Sequence, residues 1–206
     1  MDGVFVFKLI KFVICLLLIF AVLGIVDVWQ DKQTLKENLI RLHVVANSDS
    51  DYDQQVKLQV KDAITQYLQP ITDQLSSKEE AMTYLRENLE NLQELSNQVL
   101  RNLGVKERAV VCLEETSFDT RQYETFSLPA GVYDALRIEI GEADGKNWWC
   151  VVFPSLCLPA TGSEFEAVAV SSGFDGTLTN TISNKQDYQI RFFILDCLGK
   201  LENFFH

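Results

Sequence analysis

Hydrophobic and polar positions recur along this chain with three different periods, and each period predicts a different element. From Phe12 to Val26 no charged side chain interrupts an apolar run, and Val4–Phe7 extends it past Lys8 and Lys11. Twelve of those fifteen central residues are Leu, Ile, Phe or Val. At about −0.3 to −0.6 kcal/mol each, they sum to roughly −4 to −7 kcal/mol, sufficient for insertion into a bilayer. The period then falls to two over Leu39–Asn47, where Ile40, Leu42, Val44 and Ala46 share one face, and a strand is predicted.

A turn cluster, Asn47-Ser48-Asp49-Ser50, starts a helix near Asp51. Val56, Val60, Ala63, Ile64, Tyr67 and Leu68 form its apolar stripe, and Pro70 ends or bends it. A second helix is predicted after Ser76-Ser77, with Glu79 and Glu80 in its first turn and a stripe of Leu85, Leu89, Leu92, Val99 and Leu103. Gly104 stops it. Beyond Gly104 the alternation of strands returns over Ala109–Thr116, Arg121–Leu128 and the half-buried Leu136, Ile138 and Ile140, with the second segment polar enough for a sheet edge. Asp144-Gly145 reads as a type I′ hairpin turn into Trp148–Phe153, which is apolar on both faces and therefore expected at the centre of a sheet. Leu158–Asn184 is rich in Gly, Ser and Thr and reads as loop, with a short element at Phe165–Val170; Gln189–Phe205 is read as a helix. The order predicts an α+β fold, a membrane segment followed by an antiparallel or mixed sheet with helices packed on one face.

Charge sharpens this division. The 206 residues carry a formal net charge of −11. Residues 1–26 hold only Asp2, Lys8 and Lys11, a net of +1, so the remainder carries −12. Lysines before the apolar run and Asp27 and Asp31 after it place the N-terminus in the cytoplasm and send the rest across the membrane. Residues 1–28 are expected to form a signal peptide or an uncleaved transmembrane anchor, with residues 29–206 as an exported domain. So acidic a domain repels nucleic acid, which excludes DNA and RNA as partners.

Candidate chemistry is sparse. Four cysteines, Cys112, Cys150, Cys157 and Cys197, follow the apolar segment that holds Cys15. Cys150 and Cys157 lie across a Pro154-Ser155 reversal that could bring their Cα atoms within the roughly 4.4–6.8 Å a disulfide requires; four buried thiols are the other reading. No CxxC pair suggests zinc, and no cofactor is expected. Asp49-Ser50-Asp51-Tyr52-Asp53 has the opening of a calcium loop, but Gln54 and Val60 stand where glycine and glutamate are needed, so a turn and helix cap is read there. Leu158-Pro159-Ala160-Thr161-Gly162 matches a sortase pentapeptide without the apolar tail that a sorting signal needs. His43 sits among valines in a strand and reads as structural, Glu114-Glu115 point to opposite strand faces, and no catalytic residue is assigned. Trp148-Trp149 put one indole on each side of their strand; a core position for both is one reading, and a partner anchor for one of them is the other.

The stretch Ile40-Arg41-Leu42-His43-Val44-Val45-Ala46-Asn47-Ser48-Asp49, with Gln54 and Lys57 behind it, resembles the signature of the stage II sporulation protein R family. So do Leu128-Pro129-Ala130-Gly131-Val132-Tyr133, Leu136-Arg137-Ile138-Glu139-Ile140-Gly141 and Asn147-Trp148-Trp149-Cys150-Val151-Val152-Phe153-Pro154 with Leu156-Cys157. The resemblance implies a sporulation signal made in the forespore and exported into the space between the two cells. There it would activate the membrane-embedded aspartic protease that processes the sigma-E precursor in the mother cell. It implies a signal and not an enzyme; Asn47, Asp49 and Trp149 are the candidate contact residues by position in the matching motifs. The rival reading is a secreted or membrane-anchored hydrolase built around His43.

Overall fold

A computed structural model describes residues 3–123, 126–154, 179, 182–183 and 190–205. Helix α1 (Gly3–Asn38) carries the apolar run, and its Ile10–Asn38 portion is long and apolar enough to cross a membrane. The side chains described between Phe7 and Gln30 are all exposed; burial begins at Asp31, Lys32 and Leu35. One continuous helix thus runs through the predicted division at residue 28 and ends inside the domain.

Strand β1 (Ile40–Val45) follows, buried at every position. Helix α2 (Asp51–Thr72) starts where the turn cluster predicts: the Ser50 hydroxyl accepts from the Asp53 N–H at 3.1 Å and satisfies one of the free amides of the first turn. Pro70 lies in the last turn and neither ends the helix nor displaces its cap, because a missing N–H there forfeits at most one bond. The second predicted helix is two helices, α3 (Lys78–Glu87) and α4 (Leu89–Asn102). They break at Asn88, whose φ of −112° and ψ of 12° are not helical. Its side-chain amide donates to the Tyr84 carbonyl at 2.9 Å, a local bond that competes with the helical ladder.

The remaining elements are β2 (Ala109–Phe118), β3 (Arg121–Gln122), β4 (Ser127–Leu128), β5 (Gly131–Ile140), β6 (Asn147–Phe153) and α5 (Ile190–Phe205). Strands β2, β5, β1 and β6 form a mixed sheet in that order, and β3 pairs with β4 alone. The α+β class and the mixed sheet agree with the sequence, but helices cover both faces of the sheet and not one, with α2–α4 on one side and α1 and α5 on the other.

Two expectations about the sheet do not hold. Trp148–Phe153 lies at the edge as β6, while β1 and β5 occupy the centre. Nor does Asp144-Gly145 close a hairpin, because β5 runs parallel to β1 on one side and β6 antiparallel to it on the other. The 141–146 connection therefore passes over the end of β1, whose residues claim the hydrogen bonds that β5 and β6 would have exchanged. The segment read as one edge strand, Arg121–Leu128, is the small β3–β4 ribbon, with Arg121 opposite Leu128. Leu158–Asn184, including Phe165–Val170 and the Leu158–Gly162 pentapeptide, lies almost wholly outside the described residues.

Two apolar clusters hold these layers. On one face Leu42, Val44, Leu136, Ile138 and Ile140 pack against Val56, Val60, Ile64, Leu85, Leu92 and Leu100 of α2–α4. On the other, Phe118, Tyr133, Ala135 and Val151 meet Leu35 and Leu39 of α1 and Phe126 and Leu128 of the ribbon. Helix α5 joins this second face: Glu202 accepts from Lys32 at 2.6 Å and from Lys36 at 2.9 Å, tying α5 to α1. Gly199 lies directly on the Ala130 carbonyl, where any Cβ would collide with it.

Candidate partner-binding surface

The loop between β1 and α2 is held by a dense set of hydrogen bonds. Asn47 stands at its start. Its Oδ1 accepts from the Glu142 N–H at 3.0 Å, its Nδ2 donates to the Asp53 carboxylate at 3.0 Å, and its carbonyl accepts from the Asp144 N–H. Asp49 accepts from the Lys146 N–H at 2.7 Å, and Gly145 N–H donates to the Ala46 carbonyl. Lys57, buried in α2, donates to the Lys146 carbonyl at 2.9 Å and to Gln54, which in turn donates to the Ser48 carbonyl. Removal from water holds the Lys57 ammonium below its ordinary pKa. Hydrogen bonds from Ser48, Asn47 and Ser50 hold the Asp53 carboxyl below its own. Gly141 turns the chain into this clasp at φ +59°, and a Cβ there would strike the Asn47 amide. The Asp49-to-Asp53 stretch is accordingly a turn and helix cap, with the Asp49 and Asp53 carboxylates engaged in hydrogen bonds.

These bonds give Asn47 and Asp49 a positioning role. Both sides of the clasp come from segments almost a hundred residues apart in sequence, and together they fix the 141–146 connection over β1. Asp49 remains exposed and Asn47 half-buried, so only the outer edge of this loop is open to solvent.

The third candidate, Trp149, lies on the opposite sheet face from Trp148. Lys61 of α2 sits over the Trp148 ring at 4.8 Å. Trp149 stacks on His43 with ring centroids 3.9 Å apart and meets Phe118 edge-on at 4.8 Å. Arg121 of the ribbon lies over its outer surface at 5.2 Å. The indole is half-buried, an anchor built into the sheet with part of its surface free.

His43 is held neutral. Burial pushes its pKa down to about 4, against the bond its ring N–H makes to Asn147 Oδ1 at 3.1 Å. Its neighbours are rings, and no serine or cysteine among the described residues is bonded to it. Glu114 accepts from Arg137 at 2.7 Å, which keeps its carboxyl below the usual range, while Glu115 is exposed. Among the described residues no group of three or more His, Cys, Asp or Glu could hold a metal. Of the cysteines, Cys15, Cys112 and Cys197 are free thiols, the last exposed. Cys150 is buried in β6 and Cys157 lies outside the described residues.

Sequence reasoning passed over Arg41, which alternation assigned to the polar face of β1. It is completely buried, with its guanidinium 3.9 Å over the Phe118 ring and 5.3 Å from that of Tyr133. Nη2 donates to the Tyr123 hydroxyl at 2.9 Å. No local signal marked it: in β1 an Arg and a His alternate with apolar residues just as they would on a strand with one face to water.

A small α+β domain carried on an apolar N-terminal helix, with its unusual polar side chains on a sheet face, defines the class to which this molecule belongs. The chain belongs to the stage II sporulation protein R family, whose sequence profile matches residues 36–162. It is similar to the stage II sporulation protein R of Bacillus subtilis (strain 168), 37% identical over 123 residues that make up 60% of this chain and 55% of that protein. The match thus spans little more than half the length of that relative. No solved structure matches the chain. A role connected with sporulation follows from the family.

Proposed function

We propose that this protein is an intercellular sporulation signal, exported from the forespore, that activates the membrane-embedded aspartic protease processing the sigma-E precursor in the mother cell. The observation that carries this reading is the family match over residues 36–162, which covers the clasp, the Trp149 face and the whole sheet. The apolar Phe12–Val26 run of α1, with Lys8 and Lys11 before it and Asp27 and Asp31 after it, supports delivery of the domain into the intermembrane space. Binding of the domain would favour the active state of the protease, and it can do so only by its differential affinity for the two states. Nothing among the described residues favours the hydrolase reading, since His43 has a stacked ring and an amide for neighbours.

The test is co-expression of this chain, the protease and the sigma-E precursor in a non-sporulating host. Precursor cleavage that appears only with this chain is the expected result. Equal cleavage with and without it, in cells where the protease is shown to be competent, overturns the proposal.

A further inference from the structure

Arg41 is a fully buried cation with no anion paired to it among the described residues. Its Nε and Nη1 are both buried and have no hydrogen-bond partner among the described residues, leaving idle three of the five N–H donors a guanidinium carries. Arginine stays protonated at any physiological pH, so burial cannot be relieved by loss of the charge. The Phe118 and Tyr133 faces and the Tyr123 hydroxyl offset part of the cost of desolvation, but none of them supplies a negative charge.

Arg121 repeats the situation one ring pair away. It lies over Trp149, Trp149 abuts Phe118, and Phe118 lies under Arg41, so two cations bracket one aromatic cluster. Its Nε is likewise buried without a partner, and no ion pair joins Arg41 or Arg121 among the described residues. Arg137, on the same sheet face, also has a buried Nε without a partner but differs in its ion pairs, to Glu114 at 2.7 Å and Glu139 at 2.6 Å. In a domain that carries twenty-nine acidic residues over the whole chain against eighteen basic ones, two arginines left without carboxylates are not explained by a shortage of anions.

One element that touches Arg41 stands apart from the main sheet. The β3–β4 ribbon supplies Arg121 and Tyr123, and its strands pair with each other and with no strand of the main sheet. Its displacement therefore breaks no ladder of the main sheet. A carboxylate entering under it would take over the donors of Arg41 and share the charge of Arg121.

We propose that Arg41 and Arg121, with the aromatic cluster between them, form a docking site for a carboxylate-bearing segment of a protein partner, admitted by movement of the β3–β4 ribbon. This rests on the reading of the domain as one that binds a protein, but its test is binding and not proteolysis, so either can fail alone. Overall charge opposes an acidic ligand, so preference for one must come from a local site.

The experiment titrates the full chain, in zwitterionic micelles, with end-blocked hexaglutamate and hexaglutamine peptides while following the arginine Nε–H resonances. Saturable shifts of the Arg41 and Arg121 signals with hexaglutamate, and none with hexaglutamine, are expected. R121Q should weaken hexaglutamate binding by about ten-fold or more, R41Q by at least as much, and R137Q should leave it within about two-fold. Should R41Q fail to fold, R121Q against R137Q decides the matter. Equal binding of the two peptides, or equal loss in R121Q and R137Q, overturns the proposal.

Discussion

At the scale of single residues, the side chains of the β1–α2 loop act by answering backbone groups that would otherwise be stranded. Asn47 is the plainest case, because one amide serves the Glu142 N–H and the Asp53 carboxylate at once. Asn47→Ala should destabilise the fold by about 1–3 kcal/mol, the cost of leaving such groups unpaired, read as a shift of the denaturant midpoint at unchanged slope. His43 gives a pH dependence whose sign follows from its environment. The folded state resists protonation until about pH 4, whereas the unfolded chain takes up the proton near 6.5. Between those values the unfolded state binds more protons, so stability is full above 6.5 and declines as pH falls toward 4, by at most about 3 kcal/mol. His43→Gln, which keeps a donor for Asn147, should flatten that slope; an unchanged slope would assign the acid sensitivity to other groups. For the cysteines, we propose the Cys150–Cys157 bond. Intact mass after alkylation should show two blocked cysteines fewer without reduction than with it, and complete alkylation of the unreduced protein would dispose of the bond.

At the scale of elements, placement depends on a few close approaches. Helix α5 is seated by Gly199 on the Ala130 carbonyl and by Glu202 between Lys32 and Lys36. Gly199→Val should lift α5 from the sheet, with a loss of about 2 kcal/mol or more in unfolding free energy, since overpacking at a close contact forces the backbone to shift. Glu202→Gln should cost less, because that carboxylate is about a third exposed and surface pairs are worth little. The elements themselves were largely legible in the sequence. Ser50 announced α2, and the stripe from Val56 to Leu68 gave its buried face. Asn88 was not legible as a break, since the apolar stripe continues across it and only a local side-chain bond interrupts the helix.

At the scale of the molecule, α1 runs from its exposed apolar stretch into the folded domain without a break, its last turns being buried against the second sheet face. A reporter active only outside the cytoplasm, fused after His206, should be active in cells, and one active only inside should be silent; the opposite pair would reverse the topology proposed here.

Local periodicity by itself determined the apolar segment, the helical stripes, the strands and the acidic character of the domain, because each depends only on residues close together in the chain. Tertiary structure alone decided that β1 is inserted between β5 and β6, that Trp148–Phe153 lies at an edge, and that Arg41 is buried. The pairing partner of a strand is settled by which distant segments compete for its hydrogen bonds, and a side chain on a covered second face looks, in sequence, the same as one facing water.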